Sequence, residues 1–255
     1  MSLSDPELAR YARQIVLPDL GGAGQARLAR ARVAIVGSGG IGSPAIQYLA
    51  AAGIGTLILI DDDRVEVSNL QRQTIFATAQ EGMAKVDAAS AAIARLNPHV
   101  MVERHCVRLD AGNAATLLAD ADVILDGSDS FATRLAVSDA SMALRVPLVS
   151  ASVAQLEGQL AVYRGWETDR PCYRCLVGTP LDEPGRSCAE AGVLGAVAGV
   201  MGSLAATEAI RAVAPFGVDP AGSLLLVDMA AFRFRTIGLG KDSACLGCSA
   251  GRQPE

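Results

Sequence analysis

Apolar and polar positions follow two alternating rhythms over the first part of the chain. Short continuous runs rich in Val, Ile and Leu are separated by longer stretches in which apolar residues recur with helical spacing. Residues 32–37 (RVAIVG) read as a strand and 41–52 as a helix; 56–61 (TLILID) form the next strand, and a polar stretch leads to a helix over 85–96. Asn97-Pro98 stops that helix, because the residue before a proline is pushed out of helical geometry. Residues 99–107 read as extended, 111–119 as a helix, 122–126 (DVILD) as a strand, 131–144 as a helix and 146–150 as a strand. Strands that are apolar throughout and alternate with helices predict an α/β fold with a largely parallel sheet and helices on both faces.

Further on, the pattern changes. Residues 158–163 read as a strand, a Cys- and Pro-bearing stretch covers 165–190, and an Ala/Gly-rich helix follows. Residues 223–228 and 232–237 are two more strand candidates, expected as antiparallel C-terminal strands of the same sheet. No polar linker separates the two parts, so residues 1–255 read as a single unit. The stretch 191–214 is long enough to cross a bilayer, yet it holds Glu208 and Arg211, and much of it is Ala and Gly. A charge near the bilayer centre costs roughly 3 kcal/mol or more. The segment therefore reads as a closely packed helix of a core or a dimer interface, and no membrane association is expected.

Composition narrows the class further. Hydrophobic residues make up 51% of the 255 residues and charged residues 19%, which excludes a disordered chain. A net charge of −5 and the lack of a basic tract argue against general nucleic-acid binding. The opening residues, MSLSDPELARYARQ, carry charges where a signal peptide needs an apolar core. Six cysteines in such a chain read as reduced thiols of a cytoplasmic protein, available as metal ligands or catalysts.

Chemistry enters at Gly37-Ser38-Gly39-Gly40-Ile41-Gly42, which fits G-x-G-x-x-G between a strand and a helix. Glycine lets backbone approach a phosphate, and a helix N-terminus supplies free N–H groups and the positive end of a dipole. Asp61 ends the next strand, where a carboxylate can accept hydrogen bonds from ribose hydroxyls. This makes the sheet Rossmann-like and the ligand a nucleotide, with a dinucleotide-dependent oxidoreductase as the first candidate. No G-x-x-x-x-G-K-[ST] occurs, so a P-loop kinase or GTPase is not indicated.

The residues after the second strand point elsewhere. Asp61-Asp62-Asp63-Arg64 is followed by Ser68-Asn69-Leu70-Gln71-Arg72-Gln73, Lys85 opens a helix, and Asp129 lies just beyond the strand 122–126. In a parallel sheet these positions all lie outside the carboxyl ends of the strands, where ligands bind. Hydride transfer has no need of Arg, Lys, Asn and several Asp at one rim. Phosphate chemistry uses cations to neutralise the transferring group and leaving pyrophosphate, and a carboxylate to hold Mg²⁺.

Cys172-Tyr-Arg-Cys175 and Cys245-Leu-Gly-Cys248 share one spacing and can supply four thiolates to one tetrahedral Zn²⁺, a four-cysteine zinc site. Four protein ligands leave no position for substrate, so the zinc is expected to be structural. Cys106, on a predicted strand, reads as core packing. His99 and His105 lack ligand spacing, and no nucleophile–base partner argues for hydrolysis. Trp166, Tyr163 and Tyr173 read as packing.

The sequence resembles the ThiF/MoeB/HesA adenylyltransferases, bacterial relatives of the ubiquitin-activating enzymes. The resemblance runs through Arg10-Tyr-Ala-Arg13-Gln14, GSGGIG, Asp61-Asp-Asp63, SNLQRQ, Lys85, residues 126–129 and both cysteine pairs. It implies that the protein binds ATP·Mg²⁺ and adenylates the C-terminal glycine of a ubiquitin-like sulfur-carrier protein (ThiS/MoaD type, ending in Gly-Gly), ahead of sulfur transfer for thiamine, molybdopterin or another thio-cofactor. On this resemblance Gly39 with Gly37, Gly40 and Gly42 contacts nucleotide phosphate, and Asp61 binds the ribose. Asn69, Arg72 and Lys85 face the phosphates, Asp63 and Gln73 join the nucleotide site, and Asp129 holds Mg²⁺. Arg13 resembles an arginine finger given to the other subunit, which implies a homodimer. Cys188, in Arg186-Ser-Cys188-Ala-Glu190, matches a position where some members link covalently to the carrier. The nucleotide-binding part is then about 30–150, and the carrier-binding and zinc part about 151–251. No rhodanese-like region follows Cys248, so sulfur is expected from a separate sulfurtransferase or cysteine desulfurase. Three alternatives stand beside this one. The same ATP chemistry on a non-protein carboxylate, such as a modified tRNA base, is the nearest. An NAD(P)-dependent oxidoreductase leaves SNLQRQ, Lys85 and Asp129 unexplained, and a non-catalytic scaffold would be free to vary Arg13, Arg72, Lys85 and Asp129.

Overall fold

The structure of the chain, a computed structural model, describes residues 3–178 and 192–248. Helices α1 (Asp5–Ile15) and α2 (Gly21–Leu28) precede β1 (Arg32–Val36), α3 (Gly42–Ala52) and β2 (Thr56–Ile60). After them come α4 (Lys85–Leu96), β3 (Met101–His105), α5 (Ala114–Leu118), β4 (Val123–Asp126) and α6 (Phe131–Leu144). The chain continues through β5 (Leu148–Ala154), β6 (Glu157–Tyr163), α7 (Tyr173–Val177), α8 (Gly195–Val213), β7 (Ser223–Asp228) and β8 (Arg233–Gly238).

One eight-stranded sheet runs in the order β3-β2-β1-β4-β5-β6-β7-β8. The first five strands are parallel, and β6, β7 and β8 add on antiparallel, as the pattern of the sequence predicts. Period-two alternation sorts the strand side chains between two cores. Val33 and Ile35 of β1 face α3, α4 and α8, whereas Ala34 and Val36 face α5 and α6. The strand order reverses between β1 and β4, so the loops leaving their C-terminal ends diverge and open a crevice. Register makes that crevice level, because Val36 pairs with both Ile60 and Asp126.

Helix α8 is the one helix among the described residues long and apolar enough to cross a membrane. It lies in the core, with Val197, Ala198, Met201, Gly202, Ala205, Ala206 and Ala209 buried. Its small residues serve close approach: a Cβ on Gly202 would stand 2.3 Å from the Ile41 carbonyl oxygen and 2.4 Å from Pro44 Cγ.

Three local readings change. Helices α1 and α2 hold few strongly apolar residues and bury few side chains, so runs of apolar residues do not reveal them. Helix α1 is instead set at its start, where Glu7 accepts from Ser4 N (2.8 Å) and Ser4 Oγ (2.7 Å). The extended segment 99–107 shortens to Met101–His105, and Cys106 lies past its end and is exposed, so it is not a core residue. The physical reason is that β3 is an edge strand, paired on one side only.

Candidate active site

A cavity of about 320 Å³ fills the crevice at the ends of β1, β2 and β4. Gly37, Gly39, Gly40, Asp61, Asp63, Asn69, Arg72, Gln73, Lys85 and Asp129 all line it, so ten of the residues singled out from sequence meet at one place. Gly42 and Arg13 do not line it. Arg13 is exposed on α1, and Cys188 lies outside the described residues.

The glycines divide the work of the first turn. Gly37 has φ +86°, a left-handed conformation, and a Cβ there would press on Ser128 backbone atoms at 3.2 Å. Gly39 has nothing closer than Gln73 Nε2 at 3.8 Å, which leaves its backbone open to the cavity. At Gly42 a Cβ would fall 1.9 Å from the Gly37 carbonyl oxygen, so this glycine lets α3 close on the turn rather than touching a ligand. Gly42→Ala is therefore expected to displace the whole turn, lower the melting temperature by several degrees at ~2–4 °C per kcal/mol, and abolish nucleotide binding, as thermal melts and calorimetry would report.

Asp61 is held before any ligand arrives. Its carboxylate accepts from Ser38 N (2.6 Å) and Asp63 N (2.8 Å), joining the ends of β1 and β2. Burial pushes its carboxyl above the ordinary aspartate range, while the Lys85 charge and the two N–H donors pull it back. Lys85 reaches this spot because 63–85 closes on itself: Arg64 bridges Ala84, Val65 N donates to Met83 O, and Lys85 N donates to Asp63 O. Its side chain is only 4% exposed, and Nζ pairs with Asp63 Oδ2 at 2.8 Å. Within the same excursion, Val67–Asn69 forms a turn of 3₁₀ helix, and Arg72 donates to Asn69 Oδ1 at 2.6 Å. Gln73 Oε1, on the cavity wall, is buried without a partner, a polar atom that a ligand at this cavity can satisfy.

The opposite wall comes from the β4–α6 loop. Asp129 stands exposed at the rim. Val107, Leu109, Thr133, Arg108 and Arg134 also line the cavity and were not singled out from sequence. Among them, Arg108 Nε pairs with Asp62 Oδ2 at 3.3 Å. The local sequence gives these residues no motif, and only the strand order brings them in.

The four cysteines form a separate cluster, and none of them lines the cavity. The sulfur pairs Cys172–Cys175, Cys172–Cys245 and Cys175–Cys248 are 3.9, 3.6 and 3.4 Å apart, and all four sulfurs lie within 4.8 Å of one another. A tetrahedral ion with metal–sulfur bonds of about 2.3 Å requires sulfur–sulfur distances of about 3.8 Å, so this cluster could hold a metal.

Comparison with known proteins agrees with this arrangement. The ThiF family model matches residues 11–247. A sulfur carrier protein adenylyltransferase from Thermus thermophilus is 44% identical over 97% of this chain and 93% of its own length. "Adenylyltransferase and sulfurtransferase MOCS3" from Drosophila grimshawi is 45% identical over 97% of this chain, which spans about half (55%) of the length of that relative. Among solved structures, E. coli MccB with ATP has a TM-score of 0.81 at 21% identity, covering 94% of this chain and 74% of that one, a likeness of fold. With the glycine turn, the SNLQRQ excursion, Lys85 and Asp129 on one cavity, and the match extending over nearly all of its length, the chain belongs to the ThiF family.

Proposed function

We propose that this protein is an ATP-dependent adenylyltransferase acting on the C-terminal glycine carboxylate of a ubiquitin-like sulfur-carrier protein. The observation that carries the reading is the gathering of Asn69, Arg72, Lys85 and Asp129 around the glycine turn on a single cavity. The carrier's carboxylate oxygen attacks the α-phosphorus of ATP, the bond to the pyrophosphate oxygen breaks, and an acyl adenylate and pyrophosphate result. Such a step needs positioning and charge neutralisation more than covalent help. Arg72, steadied by Asn69, and Lys85, steadied by Asp63, neutralise the phosphates. Asp61 takes the ribose, its geometry already set by the two N–H donors. Asp129, an exposed carboxylate at the rim, fits the hard oxygen ligand that Mg²⁺ takes, and the ion would add charge neutralisation at the phosphates.

The remaining roles extend this reading. The four-sulfur cluster suits Zn²⁺ in a structural part. Arg13, exposed at the end of α1, is proposed as the residue given to a partner subunit in a homodimer, and Cys188 as the site of a covalent link to the carrier. A separate sulfurtransferase or cysteine desulfurase in the cytoplasm would supply the sulfur, for thiamine, molybdopterin or another thio-cofactor. The test is ATP–pyrophosphate exchange with purified carriers ending in Gly-Gly, for the unaltered protein and Asp129→Ala. Exchange with one carrier, reduced about 100-fold or more in the variant, is expected. ATP binding without exchange on any carrier would move the substrate to a non-protein carboxylate.

A further inference from the structure

Asp129 makes no ion pair among the described residues, so its position rests on its neighbours. Ser128, immediately before it, is tied at every polar atom. Its N and Oγ donate to Asp126 Oδ1 at 3.0 and 2.7 Å, and its carbonyl accepts from Arg134 Nη2 at 2.5 Å. On the other side, Ser130 caps α6, and its carbonyl accepts from Arg134 N at 3.0 Å.

The same Arg134 reaches across to the neighbouring strand. Nη2 also donates to the Ala151 carbonyl (2.8 Å) and Nη1 to Ser150 Oγ (3.4 Å), both on β5. One guanidinium thus staples the loop of Asp129 to the strand beside it. Beside this guanidinium, in hydrogen-bonding reach of it, stands Tyr173, 8% exposed, whose ring packs on Phe131 (centroids 6.4 Å apart) and edge-on against Tyr163 (5.8 Å). Tyr173 and Arg174 are the two residues between Cys172 and Cys175. Arg174 grips the same helix α6 further along, donating to both Asp139 carboxylate oxygens at 2.8 and 2.7 Å. Both spacer residues of the first cysteine pair therefore brace the helix that begins just after Asp129.

We propose that Arg134, backed by Tyr173, is a positioning residue that sets the Asp129 carboxylate for its divalent cation, so that the cysteine-bearing turn supports the cation site as well as the fold. The proposal rests on the function stated above. Nη2 serves carbonyls on two different elements while Nη1 reaches a third partner; a lysine keeps the charge but has one nitrogen on a shorter side chain, and so keeps only part of this set. The role is indirect, because the hydrogen bonds of this guanidinium go to protein atoms.

The experiment measures ATP affinity by calorimetry, with Mg²⁺ and with EDTA, on the unaltered protein, Arg134→Gln and Arg134→Lys. Melting temperature and metal content of the cysteine cluster are followed on the same samples. Misplacing one cation ligand by a fraction of an ångström is expected to remove about ten-fold of the Mg²⁺-dependent tightening in Arg134→Gln, with affinity in EDTA unchanged, metal content unchanged, and part of the loss restored in Arg134→Lys. Equal Mg²⁺ dependence in all three proteins would overturn the proposal, as would a matching loss in EDTA, which would make Arg134 a direct phosphate ligand. No ATP binding by the unaltered protein would overturn the adenylyltransferase reading, and this proposal with it.

Discussion

Lys85→Met is expected to lower carrier-dependent ATP–pyrophosphate exchange by about 100- to 1,000-fold, the usual cost of removing one preorganised charge from a transition state, while the protein still folds. The two effects separate because of what the lysine leaves behind. Its partner Asp63 has a side chain 60% exposed, so the carboxylate keeps its hydration when the ammonium is gone. Methionine also refills most of the buried stem, so the melting temperature should move by only a few degrees. The ammonium additionally offsets the burial of Asp61. Without it, the Asp61 carboxyl rises further above the ordinary aspartate range, and its ionised form, the better acceptor for ribose, is lost as pH falls. ATP affinity of Lys85→Met should therefore decline at a higher pH than that of the unaltered protein. Calorimetry across the acidic range measures this, and full exchange activity in the variant would remove Lys85 from the phosphate site.

What the sequence revealed of this site depended on how local each signal was. Gly37 to Gly42 and Asp61 were legible because a strand, a tight turn and a helix follow one another, and each leaves its own pattern in adjacent residues. The level meeting of Asp61 and Asp129 also follows from strands that end together, whereas Lys85 arrives through the closure of 63–85 on itself. Arg134 left no such trace. Its partners are largely backbone carbonyls, which any residue supplies, so nothing in the composition of the Ser128 or Ala151 segments announces it. Cys106 shows the opposite failure: an apolar residue near a strand looks buried until the strand order shows β3 at an edge. Likewise every residue of β8 is exposed despite its strand-like pattern, because β8 closes the other edge. Spacing alone paired the cysteines, but not the use of Tyr173 and Arg174 to hold α6.

That bracing makes the cysteine cluster the second place where a single change should have a large effect. Cys172 and Cys245 lie 73 residues apart in sequence, and their sulfurs are 3.6 Å apart. Cross-linking a loop of that size removes unfolded-state entropy equivalent to about 4 kcal/mol, before any direct metal–thiolate energy is counted. Without an ion, burial raises the Cys172 thiol well above the ordinary cysteine range. Four sulfurs this close then have no charge to gather around, and a bound cation would deprotonate them on binding. Elemental analysis is expected to find one zinc per chain. Cys245→Ser should lose it and melt about 10–15 °C lower, at ~2–4 °C per kcal/mol for a chain of this size. Because the first cysteine pair braces α6, the variant should also bind Mg²⁺·ATP more weakly at temperatures where it is still folded. Metal-free protein with unchanged melting would show that packing alone closes this end of the molecule, and a melting shift without any change in Mg²⁺·ATP affinity would confine the cluster to stability.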